Sequence, residues 1–285
     1  MSISGKPYQS GRIMSRWQHY HTVWGVVIFA WIWLYIIRMG FSPVLLLIKD
    51  ELHLDYWMAG WLASAYFFAY TFAQIPSGYL GDRLGRKRLL LFGTAGLALT
   101  SALTAAAYSF MALFVIRFFN GMSAGTYFGN DRPITSHFTP SEKMGMGQGI
   151  TTCGMALGMG LGIAVTGALA EAIGWRVVYL LYALPVLLAG VFIWRFLREP
   201  PLLAPRQPEN AGAVERFSYV QMFRSFDAWR MAFAGFCNMY MFWVLSIWTP
   251  AIFREIGVER LAQSSLYASM IGLAGVPGLL LSGWL

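Results

Sequence analysis

Eight runs of about 20 mostly apolar residues, separated by short stretches that hold most of the charge, constrain this chain more than any other feature. A bilayer's hydrocarbon core is about 30 Å thick, and a helix rising about 1.5 Å per residue needs about 20 apolar residues to cross it. The runs lie at about 22–48, 57–80, 89–108, 110–138, 145–171, 176–197, 229–251 and 265–285. Each is expected to be a helix, because the other spanning structure, a closed barrel, shows alternating patterns of about 10 residues. Charged residues are 12% of the chain, against about 25% in soluble domains. That excludes a soluble enzyme, a nucleic-acid-binding domain and a disordered tail. The chain reads as an all-α polytopic membrane protein with the lipid bilayer as its constant partner.

The excess of 21 Lys and Arg over 13 Asp and Glu falls on alternate connections. Lys6, Arg12 and Arg16 precede span 1, Arg83, Arg86, Lys87 and Arg88 follow span 2, and six arginines from Arg195 to Arg230 run from the end of span 6 to the start of span 7. The connection after span 1 is acidic, that after span 3 is uncharged and that after span 7 balances. Positive residues stay inside, so the N-terminus is expected in the cytoplasm and the protein in the plasma (inner) membrane. The polar start is too long, and the first apolar run too long, for a cleaved signal peptide. Cys153 and Cys237 lie inside spans and read as small core residues. The organisation expected is a cytoplasmic segment 1–21, a six-helix bundle 22–197, a proline-marked cytoplasmic linker 198–228 and a partial second bundle 229–285.

An offset of 205 residues supports that division. It pairs Pro76-Ser-Gly-Tyr-Leu80 with Leu281-Ser-Gly-Trp-Leu285, Ala63-Ser64 with Ala268-Ser269, and Trp24 with Trp229. Parallel repeats of this kind occur among secondary transporters. The second repeat would hold two helices, which reads as a chain truncated at its C-terminus.

The stretch from Gly78 through Asp82, Arg83, Gly85, Arg86 and Lys87 to Arg88 is expected to be the cytoplasmic loop after span 2. Its glycines permit close approach and a tight turn, and Asp82 can pair with Arg86 or accept from helix N-terminal amides. A positive-inside loop explains the basic residues but not the acid among them. The stretch resembles the Gly-x-x-x-Asp-Arg-x-Gly-Arg-Lys signature of the major facilitator superfamily, and Arg117 and Gly121 are similar to that family's Arg-x-x-x-Gly pattern in helix 4. The resemblance implies the family fold, here its first six-helix bundle plus about two helices of the second. It also implies alternating access around a central cavity, with Asp82 and its basic neighbours gating the cytoplasmic side. Gly154, Gly158 and Gly162 form one stripe suited to close helix packing. They lack the proline common in antiporter members, which tilts away from a drug–proton antiporter.

Polar side chains inside spans need a reason, since a buried charge costs about 2.5–3.5 kcal/mol on insertion scales. At about 100° per residue, Trp24, Trp31, Tyr35, Arg38 and Ser42 share a face. Arg38 could bind a substrate carboxylate bidentately between aromatic rings, or snorkel to the outer interface. Tyr35 and Arg38 are similar to the helix-1 region of the organic anion–cation symporter branch. Tyr66, Tyr70, Gln74 and Ser77 suggest a cavity wall in span 2, and Asn238 and Tyr240 weaker lining candidates in span 7. Arg117, Asn120 and Asp131 fall within about 60° on a continuous span-4 wheel. Asp131 is the acid well inside a span, either a proton-coupling group or half of a structural pair with a nearby arginine. The histidines show no metal-ligand spacing, and no cofactor motif or catalytic constellation is present.

These readings converge on a secondary transporter of a small organic solute, with an organic anion suggested by Arg38 and Arg117, driven by proton symport. A drug or metabolite–proton antiporter, or a non-transporting membrane receptor or assembly protein on the same scaffold, are the alternatives. An enzyme is not expected.

Overall fold

The structure is a computed structural model and describes residues 18–200, 224–275 and 277. The segment before Gln18, most of the linker and the Leu281–Leu285 half of the repeat match lie outside these residues, as do Lys6, Arg12, Arg16, Arg206 and Arg216. The regular elements are helical throughout the described residues: α1 (His19–Met39), α2 (Phe41–Glu51), α3 (Tyr56–Leu84), α4 (Arg86–Ala105), α5 (Phe110–Gly125), α6 (Phe128–Phe138), a 3₁₀ turn Ser141–Lys143, α7 (Met144–Ile173), α8 (Trp175–Phe196), α9 (Phe226–Glu255) and α10 (Leu261–Leu273).

Spans 1 and 4 are each divided into two helices. Proline has no N–H and its ring crowds the carbonyl four residues earlier. Pro43 therefore leaves the Met39 carbonyl without its helical donor, and the chain breaks at Gly40 between α1 and α2. Pro133 does the same to Gly129, just past the break between α5 and α6. A third case joins α2 to α9. Pro250 deprives Ser246 of its donor, and the Ser42 hydroxyl of α2 donates to the Ser246 carbonyl at 3.3 Å and also to that of Ile247. Buried backbone carbonyls freed in this way need a partner, and here a polar group from another helix supplies it.

The start signals are ordinary. Asp55 caps α3 by accepting from the Met58 amide at 2.7 Å, and Ser109 caps α5 by accepting from Ala112 at 3.2 Å. The expected loop after span 2 is corrected: α3 runs on to Leu84 and α4 starts at Arg86, so the turn is Gly85 alone. Gly85 can make it because its φ is +104°, a region that side-chain-bearing residues avoid.

The main packing pairs are α1 with α7, α3 with α5, α4 with α8, and α10 with α7. The glycine stripe of α7 lies against α1 as expected. A Cβ on Gly158 would stand 2.5 Å from the Ile32 carbonyl oxygen, and one on Gly162 2.8 Å from the Ile36 Cα. The opposite side of α7 is equally close to α10, where a Cβ on Gly272 would stand 2.6 Å from the Gly160 nitrogen. Residues 229–242 of α9 are exposed, whereas its later part reaches α2 and α3. The core centres on the fully buried Trp31, Tyr66 and Tyr179.

Candidate functional site

Arg38 does not snorkel; it is 4% exposed. Its guanidinium carbon lies 5.2 Å from the Tyr35 ring, 5.3 Å from Tyr66, 4.7 Å from Phe67, 4.8 Å from Tyr70 and 4.1 Å from Trp243. Three helices build this cage. α1 supplies Tyr35 one turn before Arg38, α3 supplies Tyr66, Phe67 and Tyr70, and α9 supplies Trp243. Aromatic faces attract a cation, but no carboxylate pairs with Arg38 among the described residues, and its Nε has no hydrogen-bond partner. The sequence reading found Tyr35, Tyr66 and Tyr70. It missed Phe67 and Trp243, whose neighbours in sequence are also aromatic, so spacing does not single them out.

A second buried guanidinium also lies against Tyr66. Arg117 is 4% exposed, with its carbon 3.9 Å from the Phe41 ring and 4.7 Å from Tyr66, and its Nε donates to the Leu62 carbonyl at 3.4 Å. No carboxylate pairs with it either among the described residues. Tyr66 is therefore close to two buried cations, and its hydroxyl has no partner. Two positive charges in a region of low dielectric favour a negative charge beside them.

Asp131 does not join Arg117 and Asn120, because the expectation of one continuous wheel fails at the break between α5 and α6. Asn120 turns to Thr100 on α4, donating at 2.8 Å. Asp131 is 1% exposed and accepts from the Trp31 indole N–H at 2.7 Å, while its other carboxylate oxygen has no partner. Arg132 Nε stands 3.8 Å away, but the two ends of that guanidinium are committed to Gln148 at 2.5 Å and Thr152 at 3.1 Å on α7. Trp31 is thus fully buried against Asp131 rather than open at a cavity wall.

The signature residues form a bracket at the α3–α4 turn. Arg86 pairs with Asp82 one turn earlier and donates to the Gly129 carbonyl at 2.7 Å. Glu199, past the end of α8, accepts from the Lys87 amide at 3.1 Å, and the Lys87 ammonium donates to the Trp194 carbonyl at 2.8 Å. Arg83 lies over the Tyr79 ring at 4.3 Å. The tighter approach is at Gly81: nothing stands within 4 Å of a Cβ on Gly78, whose backbone faces Gly129, whereas one on Gly81 would lie 1.8 Å from Asn130 Oδ1.

Phe67 and Trp243 also face a cavity of about 950 Å³ between α3 and α9, whose lining is mainly aromatic and includes Tyr240. Asn238 is exposed and is not among its lining residues, and Gln74 is half-buried one turn beyond Tyr70, away from the Arg38 cage. Ser77 donates to the Gly125 carbonyl at 3.1 Å and so ties α3 to α5. Among the described residues no three His, Cys, Asp or Glu side chains gather as a metal site.

The sequence model described as "Major Facilitator Superfamily" matches residues 11–285. The chain belongs to the Major Facilitator Superfamily. It is therefore a multi-pass, all-α membrane protein of a transporter family and not an enzyme. Among its superfamily relatives, the "Probable sulfoacetate transporter SauU" of Cupriavidus necator is 26% identical over 277 residues, which cover 92% of this chain and 64% of that protein. The "Hexuronate transporter" of Bacillus subtilis is 24% identical over 249 residues, 85% of this chain and 59% of its own length. The "4-hydroxybenzoate transporter PcaK" of Pseudomonas aeruginosa is 25% identical over 277 residues, 86% of this chain and 61% of its own. The chain thus spans less than two thirds of these relatives. A solved superfamily structure, a bacterial homolog to the human lysosomal transporter Spinster in an inward-facing and occupied conformation, superposes with a TM-score of 0.73 at 16% identity, over 92% of this chain and 60% of that one. That likeness carries the fold.

Proposed function

We propose that this chain forms the first six-helix bundle (22–197) and, after the linker 198–228, the start of the second bundle of a secondary transporter for small organic anions. The observation that carries the reading is the pair of buried guanidiniums, Arg38 and Arg117, with no carboxylate partner among the described residues. Breaking or omitting the partner of a buried charge costs about 3–5 kcal/mol. A protein that retains two such charges beside one tyrosine gains when an anion joins them. Arg38 is the primary anion contact, since the planar fork of arginine suits a carboxylate or sulfonate. Tyr35, Tyr66 and Tyr70 flank the bound solute, and Arg117 adds long-range positive potential. Sulfoacetate, hexuronates and 4-hydroxybenzoate, named for the relatives, share an anionic head on a small organic body and support that substrate class.

Asp131 is the proton-coupling group in this reading: a buried carboxyl with an unpartnered oxygen can take a proton without giving up its indole donor. The transport mode is symport with protons across the plasma membrane, the N-terminus being cytoplasmic. The test is uptake of radiolabelled sulfoacetate, glucuronate and 4-hydroxybenzoate by cells expressing the protein. At least one should accumulate, an uncoupler should abolish accumulation, and Arg38→Gln should abolish uptake with the protein still in the membrane. No accumulation of any of the three, or full uptake by Arg38→Gln, overturns the reading.

A further inference from the structure

We infer that Trp31 is the positioning residue that links the Asp131 carboxyl to the aromatic cage of Arg38. The inference rests on the anion-site reading above but concerns a residue which that reading does not use. Trp31, Tyr35 and Arg38 follow one another at one-turn spacing on α1, where side chains meet. At one end the Trp31 indole donates to Asp131 Oδ2 at 2.7 Å. At the other its ring lies 5.8 Å from the Tyr35 ring, which in turn stands 5.2 Å from the Arg38 guanidinium carbon. Tyr127 and Phe128 hold the indole from the side of α6, with ring centroids at 5.7 and 6.4 Å.

An ionised Asp131 makes a charge-assisted bond to the indole, and a proton on Oδ1 turns that bond into a neutral one about half as strong. The indole is then held less firmly, and the rings that shape the cage move with it. The groups facing Asp131 are Arg132 on its own helix and Tyr127 at that helix's start, with Tyr70 on α3 within electrostatic reach. Arg86 of α4 reaches the same helix at Gly129, and α7 presents the neutral Gln148 and Thr152 to Arg132. Trp31 touches both the carboxyl and Tyr35, a member of the cage.

The experiment measures dissociation constants of sulfoacetate, glucuronate and 4-hydroxybenzoate for the purified protein at about pH 5.5 and about pH 8, for the unchanged chain, Trp31→Phe, Asp131→Asn and Arg38→Gln. The unchanged protein should bind at least one probe about tenfold tighter at the lower pH, within the usual range of coupling between sites. Trp31→Phe keeps a ring but removes the donor; its pH ratio should fall to about threefold or less, with low-pH affinity within about threefold of the original. Asp131→Asn should show no pH ratio whether or not Trp31→Phe folds. An unchanged ratio in Trp31→Phe, a ratio that survives Asp131→Asn, or no ratio in the unchanged protein overturns the inference and leaves the anion site standing. Full binding by Arg38→Gln, or no binding of any probe by the unchanged chain, overturns the anion site itself.

Discussion

Arg86 of α4 donates to the Gly129 carbonyl of α6 at 2.7 Å, and that carbonyl is the one Pro133 leaves without a helical donor. A signature arginine thus repairs a proline-made gap in a neighbouring helix while it pairs with Asp82. Hydrogen bonds from charged groups contribute about 1.5–3 kcal/mol, so Arg86→Ala should destabilise the protein by that order. Pro133→Ala restores the amide and closes the gap. In that background the cost of Arg86→Ala should shrink by about 1 kcal/mol or more, while the Asp82 part cancels in the cycle. Thermal unfolding in detergent checks this, and equal costs in both backgrounds would refute the repair.

Arg38 presents function and stability in opposition. Its five rings offset part of its desolvation, at about 0.5–2 kcal/mol each, but an unpaired buried charge costs several kcal/mol. Arg38→Met should leave the unfolding temperature unchanged or raise it while anion binding falls at least about 100-fold, a loss of roughly 2.7 kcal/mol. A large drop in unfolding temperature would make Arg38 structural instead.

Two glycines of the α3 end should respond in opposite ways. Gly81→Ala would push a Cβ into Asn130, whose amide is held by the Thr126 carbonyl at 2.7 Å, so a loss of about 1–3 kcal/mol is expected. Gly78→Ala meets nothing within 4 Å and gains helix propensity of up to about 1 kcal/mol. Melting both variants side by side decides it, and a destabilised Gly78→Ala would contradict the packing described.

On the opposite side of the membrane, Asp50 of α2 accepts from Arg254 near the end of α9 at 3.0 Å, and Tyr56 donates to Glu255 at 2.8 Å. Glu171 at the end of α7 accepts from the Ala262 amide at 2.7 Å and ties down the start of α10. These contacts join α2, α3 and α7 to α9 and α10 near the end of α9, whose early part is exposed. The Asp50–Arg254 pair is itself nearly half exposed and contributes about 1 kcal/mol at most. Arg254→Gln should therefore lengthen the mean separation of spin labels placed at His53 and Val258. High salt should mimic it in the unchanged protein, and identical distance distributions would dismiss the clasp.

The sequence alone established what depends on a single helix and its solvent. Apolar length made the helices, since lipid tolerates no open backbone. One-turn spacing placed Tyr35 beside Arg38, and Tyr66 and Tyr70 on the same side of α3. The glycine stripe of α7 announced a close neighbour, and the spacing of Asp82 and Arg86 announced their pair. Tertiary structure decided everything that needed two segments at once. The wheel that grouped Arg117 with Asp131 assumed an unbroken helix, and the break at 126–127 rotated Asp131 away toward Trp31, 100 residues earlier. Pro133 and Pro250 are visible in the sequence as gaps, but which donor fills each gap depends on the helix that happens to lie opposite. Phe67 and Trp243 look like other lipid-facing aromatics until α1, α3 and α9 converge on one charge. Periodicity is a property of one helix, whereas the pairing of a buried polar group is a property of the packing, and in the membrane interior no water is available to replace a missing partner.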